Sequence, residues 1–152
     1  MVWQVECESF RLPKLWLRVV GAFGAKRHVF TEMARILVID DEPAIRELLE
    51  KALTAVGHEV TQAADGEEGV IKFLQAPFDL AIVDLYMPGR EGMETIRDLR
   101  KRSPKLPIIA MSGMSLADDM LQVATLLGAK VALKKPFSTT ELTAAVEKVL
   151  KP

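Results

Sequence analysis

The chain has a single cysteine, Cys7, so no intramolecular disulfide can form and a disulfide-built secreted framework is excluded; a reducing cytoplasm is the expected setting. It has no long apolar run. Its longest uncharged stretch, Leu106 to Ala117, is 12 residues, well short of the ~20 that cross a bilayer, which leaves no integral membrane segment. Charge of one sign is not in excess either: 20 Lys and Arg face 21 Asp and Glu for a net −1, which gives no broad electrostatic case for direct nucleic acid binding. A glycine-rich phosphate loop is missing, since neither Gly-x-Gly-x-x-Gly nor Gly-Lys-Ser/Thr occurs, and a nucleotide-binding module is disfavoured accordingly. With 152 residues the chain is too short for a repeat array, and one domain is expected at ~150 residues per domain. What is present, 49% apolar and 27% charged residues, suits a globular domain with a substantial core.

Composition changes along the chain. Residues 1–32 contain both tryptophans (Trp3, Trp16), the cysteine and three of the six phenylalanines, with a local charge of +2, whereas the remaining 120 residues carry −3. Leu12, Leu15, Leu17, Val19 and Val20 surround Arg11, Lys14 and Arg18, with Pro13, Gly21 and Gly24 as interruptions. Pro13 and Arg18 break the apolar region that a signal peptide needs. A short surface-lying helix for a membrane or a partner is one reading. The preferred one is a weakly ordered extension or a start-site artefact, because Met33-Ala34-Arg35 would itself serve as a start. The domain is therefore set at 33–152, and a chain beginning at Met33 is expected to fold and function alone.

From Met33 the periodicity is regular. Ile36-Leu37-Val38-Ile39 reads as a strand buried on both faces and ends in Asp40-Asp41-Glu42. Pro43 opens a helix with an apolar stripe of Ile45, Leu48, Leu49, Ala52, Leu53 and Val56, closed by Gly57. A second strand is expected at His58–Gln62, and a helix after Asp65 with Glu68 completing a capping box. Leu80–Val83 closes on Asp84; after a Met87-Pro88-Gly89 turn a helix carries Met93, Ile96 and Leu99. Pro107–Met111 is a fourth strand. Ser115 caps a helix through Met120, Leu121, Ala124 and Leu127, with Gly128 after it. A fifth strand lies at Val131–Leu133, and Ser138 with Glu141 caps a last helix through Leu142, Val146 and Val149. Five strands alternating with five helices imply an α/β fold, a doubly wound parallel sheet with helices on both faces.

Strand carboxyl ends converge at the switch point of such a sheet. Here they carry Asp40 and Asp41, Asp84, Ser112, and Lys135 beside Lys134 and Pro136. Each alone would pass for a solvated loop residue or a cap; five such groups at four strand ends make a poor coincidence. Three carboxylates in one crevice repel one another unless a cation joins them, and Mg²⁺ suits oxygen ligands of this kind. A lysine and a hydroxyl would complete a cradle for a phosphoryl group.

Ile39-Asp40-Asp41-Glu42, Val83-Asp84-Leu85-Tyr86-Met87-Pro88-Gly89, Met111-Ser112-Gly113 and Lys135-Pro136-Phe137 together resemble the signature of the receiver domain of two-component response regulators, of the stand-alone, chemotaxis-regulator-like kind. The resemblance covers about 34–150. It implies the flavodoxin-like strand order 2-1-3-4-5 and a signalling switch rather than a dedicated enzyme. Asp84 would accept a phosphoryl group from a sensor histidine kinase or a histidine phosphotransfer protein. Asp41, Asp84 and the Tyr86 backbone carbonyl would ligate Mg²⁺, Asp40 would hold a metal-bound water, and Ser112 and Lys135 would contact the phosphoryl group, with a cis peptide to Pro136. The chain stops soon after the last helix, so output is expected through a partner surface, with phosphorylation-dependent homodimerisation compatible with it. A phosphorelay intermediate and a non-phosphorylated interaction module of the same fold are the alternatives.

Two positions depart from the family's habit. Ala132, three residues before Lys135, stands where an aromatic residue usually swings, so the face after strand four is expected to move by backbone shift. Tyr86 places a ring two residues beyond Asp84, where it would shield or crowd an acyl phosphate. A phosphatase of the haloacid dehalogenase kind would need a second acid at that position. His58 is expected to face solvent, Met111, Met114 and Met120 to fill core, and Lys130, Lys134, Lys148 and Lys151 to form a solvated face.

Overall fold

The computed structural model describes residues 33–87, 92–113 and 117–151, without side chains for 117, 118, 120 and 121. The expectations for the 1–32 extension, for Pro88 and Gly89, for Met114 and the Ser115 cap, and for the Met120 and Leu121 side chains lie outside the described residues.

Elements alternate as β1 (Arg35–Ile39), α1 (Pro43–Ala55), β2 (Glu59–Ala63), α2 (Gly66–Gln75), β3 (Leu80–Asp84), α3 (Gly92–Arg102), β4 (Ile108–Ser112), α4 (Ala117–Leu126), β5 (Val131–Lys134) and α5 (Thr139–Leu150). The strands form one parallel sheet in the order β2-β1-β3-β4-β5. Strand alternation divides its core in two. Leu37, Ile39, Ala81, Val83, Ile108 and Ala110 pack with Val70, Ile96, Leu99 and Ala124 of α2–α4. Ile36, Val38, Leu80, Ile82, Ile109 and Met111 pack with Leu49, Leu53, Leu142, Val146 and Val149 of α1 and α5. Each fully buried Val, Leu or Ile contributes roughly 1.5–3 kcal/mol, and β1, β3 and β4 consist largely of such residues because they are covered from both sides.

Helix ends follow local chemistry. Pro43 occupies the first turn of α1, where its missing N–H costs nothing. Ser138 and Glu141 make the full capping box of α5. At α2, Asp65 accepts from the Glu68 N–H, but the Glu68 carboxylate reaches back to the Ala64 N–H, one residue earlier than a standard box. Gly57, with φ +94°, lets the chain turn out of α1.

Four expectations need correction. Strand β2 starts at Glu59, not His58, because the His58 N–H still caps α1 by donating to Leu53 O (3.1 Å), and the ladder begins with Glu59 N to Ala34 O (2.9 Å). The His58 side chain does not face solvent: it is 4% exposed, and its Nδ1 accepts from the Ala34 N–H at 3.3 Å. Leu48 and Val56, at the margins of the α1 stripe, are exposed because the sheet and α5 cover only its centre at Leu49 and Leu53. α4 ends at Leu126, leaving Leu127 half-buried beyond it.

Candidate functional site

Because β2 lies outside β1 while β3 lies on its other side, the chain reverses direction across the sheet between β1 and β3, and a crevice opens at their carboxyl ends. Asp40 follows the last residue of β1, Asp84 is the last residue of β3, and Ser112 ends β4 beside it, in a register that pairs Asp84 with Met111. One carboxylate oxygen from each of Asp40, Asp41 and Asp84 lies within 4.8 Å of the other two. Asp40 and Asp84 are buried and Asp41 half-buried.

Lys135 enters this cluster from the loop after β5. Its Nζ donates to Asp40 Oδ2 at 2.8 Å and to Asp84 Oδ2 at 2.6 Å, with Glu42 Oε1 at 3.8 Å. The Lys135 N–H donates to Ser112 O at 2.8 Å, which ties the lysine's backbone to the end of β4, and the Lys135–Pro136 peptide is cis. The other oxygens of the two buried acids are held by backbone: Asp40 Oδ1 accepts from the Glu42 N–H at 2.8 Å, and Asp84 Oδ1 from the Tyr86 N–H at 3.0 Å. The Tyr86 ring is 57% exposed at the rim. Ser112 Oγ is buried and has no hydrogen-bond partner among the described residues, an unusual condition for a buried hydroxyl.

Electrostatics follow from this packing. Burial raises the Asp40 carboxyl above its ordinary value; the Lys135 hydrogen bond and the Glu42 N–H oppose that, and the Asp84 charge adds to it. For Lys135, burial works against the charged ammonium, but hydrogen bonds to Asp40 and Asp84 and their charges outweigh it, and the net shift is upward. One cation therefore serves a crowd of acids. The donor set is all hard oxygen, closely grouped and short of positive charge, and it fits a hard divalent cation such as Mg²⁺.

Two contributors were not singled out in the sequence. Glu42 supplies the N–H to Asp40 and an outer acid; its place directly after the acidic pair was the available signal. Gly92 begins α3 against the end of β3, where any Cβ would collide with the Asp84 carbonyl oxygen and would sit 2.6 Å from Leu85 Cα. A glycine in the first turn of a helix was its only trace. The four lysines expected to form a solvated face, Lys130, Lys134, Lys148 and Lys151, are exposed.

The response regulator receiver domain pattern matches residues 36–147. The chain belongs to the response regulator receiver family. This receiver is 41% identical over 117 residues to a probable transcriptional regulator, ycf27, of Porphyridium aerugineum, covering 77% of this chain and 48% of that protein. It is 33% identical over 120 residues to the transcriptional regulatory protein RprY of Bacteroides fragilis, covering 79% and 50%. Among solved structures, it is similar to the chemotaxis protein CheY4 of Vibrio cholerae, with a TM-score of 0.72, 33% identity, and coverage of 78% of this chain and 99% of that one. It is also similar to the response regulator TrrA of Thermotoga maritima in complex with Mg²⁺ and BeF, with a TM-score of 0.71, 38% identity, and coverage of 78% and 100%. The receiver thus has the fold and strand order of the chemotaxis proteins, and it spans about half the length of the curated relatives it matches. Among the described residues no helix is long and apolar enough to cross a membrane.

Proposed function

We propose that this receiver is a phospho-acceptor switch in which Asp84 takes a phosphoryl group from the phosphohistidine of a sensor histidine kinase or a histidine phosphotransfer protein, in the cytoplasm, and signals through a partner-binding surface. The observation that carries this reading is the 2.6 Å contact between Lys135 Nζ and Asp84 inside a buried three-carboxylate cluster. Residues 33–152 form the receiver unit in this reading, and 1–32 are an addition to it.

An Asp84 oxygen attacks phosphorus, the P–N bond to the donor imidazole breaks with its electron pair left on nitrogen, and an acyl phosphate forms. A carboxylate approaching an anionic phosphoryl group must have its charge compensated. Lys135 supplies one positive charge at the attacking carboxylate. Asp41, Asp84 and the Tyr86 carbonyl would hold Mg²⁺, with Asp40 acting through water, and the ion would neutralise the rest. Ser112 Oγ, buried and unpaired among the described residues, would donate to a phosphoryl oxygen on Asp84. The added charge of about −1 to −2 would draw Ser112 and Lys135 towards it and shift the β4–α4 and β5–α5 loops between two arrangements. The complex of the related TrrA with Mg²⁺ and BeF supports the choice of ion.

Incubation with acetyl phosphate and Mg²⁺ tests the reading. The wild type is expected to be labelled, and Asp84→Asn to remain unlabelled while keeping its circular dichroism. Equal labelling of the two, or none of the wild type, would remove Asp84 as the acceptor.

A further inference from the structure

The acids of the site are held by more than their neighbours in the crevice. Asp40 is fully buried, and both polar atoms of its backbone are engaged: its N–H donates to Ala63 O at the end of β2 (3.2 Å), and its carbonyl accepts from Arg46 Nη1 at 2.7 Å. That carbonyl belongs to the peptide plane joining Asp40 to Asp41, so the bond from Arg46 sets the orientation of the plane on which both carboxylates depend.

Arg46 is itself braced. Its Nε donates to Gln62 Oε1 at 3.3 Å, the Gln62 amide donates in turn to Glu50 Oε2 at 2.6 Å, and Lys72 Nζ donates to the Gln62 backbone carbonyl at 2.6 Å. Residues of α1 (Arg46, Glu50), β2 (Gln62) and α2 (Lys72) thereby form one chain of hydrogen bonds that ends on the Asp40 carbonyl. A planar guanidinium holds two acceptors in fixed directions from separate nitrogens, whereas a lysine offers its donors from one freely rotating nitrogen.

We propose that Arg46 is a positioning residue for the cation site: braced by Gln62, it fixes the Asp40–Asp41 peptide and so presents the two carboxylates together. The proposal rests on the reading of that cluster as a Mg²⁺ site. Its sign separates it from a simple charge effect. Arg46 is a cation beside a site for a cation, and electrostatics alone predicts that removing it tightens Mg²⁺ binding. Loss of an oriented outer-shell hydrogen bond predicts the reverse, a weakening of about tenfold or more.

Calorimetric titration of the full chain with MgCl₂ distinguishes the two. Arg46→Ala is expected to weaken Mg²⁺ binding by about tenfold or more with the stoichiometry unchanged. Arg46→Lys, whose single nitrogen lacks the fixed two-nitrogen fork that spans the Asp40 carbonyl and Gln62, is expected to fall between Arg46→Ala and the wild type, and Gln62→Ala to weaken binding less than Arg46→Ala. Labelling by acetyl phosphate should return towards the wild-type rate once Mg²⁺ is saturating. Unchanged or tighter binding by Arg46→Ala overturns the proposal, as does Arg46→Lys binding no better than Arg46→Ala, or a labelling defect that persists at saturating Mg²⁺ with an unaltered affinity. A variant that merely lost structure would show a reduced fraction of competent sites, and that too counts against a positioning role. Failure of the wild type itself to bind Mg²⁺ would bring down the cation reading and this proposal together, whereas binding that Arg46→Ala leaves intact overturns only the latter.

Discussion

The two ends of the sheet bury polar groups in opposite ways. At the amino end the buried His58 takes the Ala34 N–H on Nδ1, and the more exposed groups around it pair as well: Asp79 accepts from the Arg35 N–H at 2.8 Å, and Arg35 pairs with Glu59 at 3.6 Å while lying over the Phe78 ring. At the carboxyl end Asp40, Asp41 and Asp84 share one lysine, and Ser112 Oγ has no partner among the described residues. Burial is common to both ends. What distinguishes the carboxyl end is the shortfall of positive charge among its buried acids, which is costly in a low-dielectric interior and is met when a ligand of complementary charge arrives. The same strands supply both ends, so the difference lies in single residues placed just beyond the ladder.

The sharpest way to break this contrast is to remove the one cation that partly balances the acids. Lys135→Met leaves Asp40 and Asp84 buried without a counter-ion, and breaking such a pair costs about 3 kcal/mol or more, part of it relieved when Asp40 takes up a proton. Labelling of Asp84 by acetyl phosphate should fall on the order of a hundredfold, as expected when a charge-stabilising group is lost. Urea unfolding in chelator and in excess Mg²⁺ checks the first effect. The variant should recover much of its stability in Mg²⁺, and equal stability of variant and wild type in chelator would show that the acids at this end are already balanced by other groups.

A smaller effect is expected at the amino end. Burial holds the His58 imidazole below its ordinary pKa of 6.5, with Glu147 pulling weakly the other way. The folded state therefore favours neutral His58, and the unfolded chain binds the proton more readily. The stability this supplies is complete above about pH 6.5 and is lost as pH falls from there towards the folded-state value. His58→Leu abandons the Ala34 N–H and should cost roughly 1–2 kcal/mol at pH 7.5. The gap between variant and wild type should narrow at pH 5.5, because only the wild type has a buried imidazole to protonate. Urea midpoints at the two pH values decide the matter, and a gap that widens in acid would mean that His58 is charged in the folded protein.

How far all this was legible depended on the kind of signal. The five strands and five helices, their order and the division of the core were readable because they rest on residues a few positions apart, such as the apolar runs Ile36–Ile39 and Leu80–Val83 and the Ser138–Glu141 box. The gathering of Asp40, Asp41, Asp84, Ser112 and Lys135 was readable from the rule that strand carboxyl ends converge. His58 was misplaced because its burial depends on Ala34, 24 residues away, and on the covering α5, neither of which leaves a mark near position 58. Arg46 and Gln62 escaped notice for the same reason: an arginine on an amphipathic helix reads as surface until β2 is laid beside it. Ala132 was singled out as a missing aromatic, and its half-buried packing against the α2–α4 side of the sheet could be known only from the fold.

The smallest effect is expected from Tyr86, the exposed member of an otherwise buried end. Its N–H fixes one Asp84 oxygen, which any residue but proline would do, so a substitution there spares the hydrogen bond and tests the ring alone. The ring is 57% exposed and stands two residues beyond the acceptor, at the rim from which water would approach an acyl phosphate. Tyr86→Asn exchanges a bulky apolar screen for a small polar side chain, and it should shorten the lifetime of phosphorylated Asp84 by less than about tenfold, under about 1.4 kcal/mol in the barrier. Following loss of label after removal of acetyl phosphate measures this directly. An unchanged rate would mean that the ring screens nothing, and that access of water is controlled by the buried groups beneath it; a lengthened lifetime would mean that the ring crowds the phosphoryl group. The unchanged rate would confine what distinguishes the carboxyl end to its buried acids, lysine and hydroxyl, and would leave the exposed ring free to serve contact with a partner.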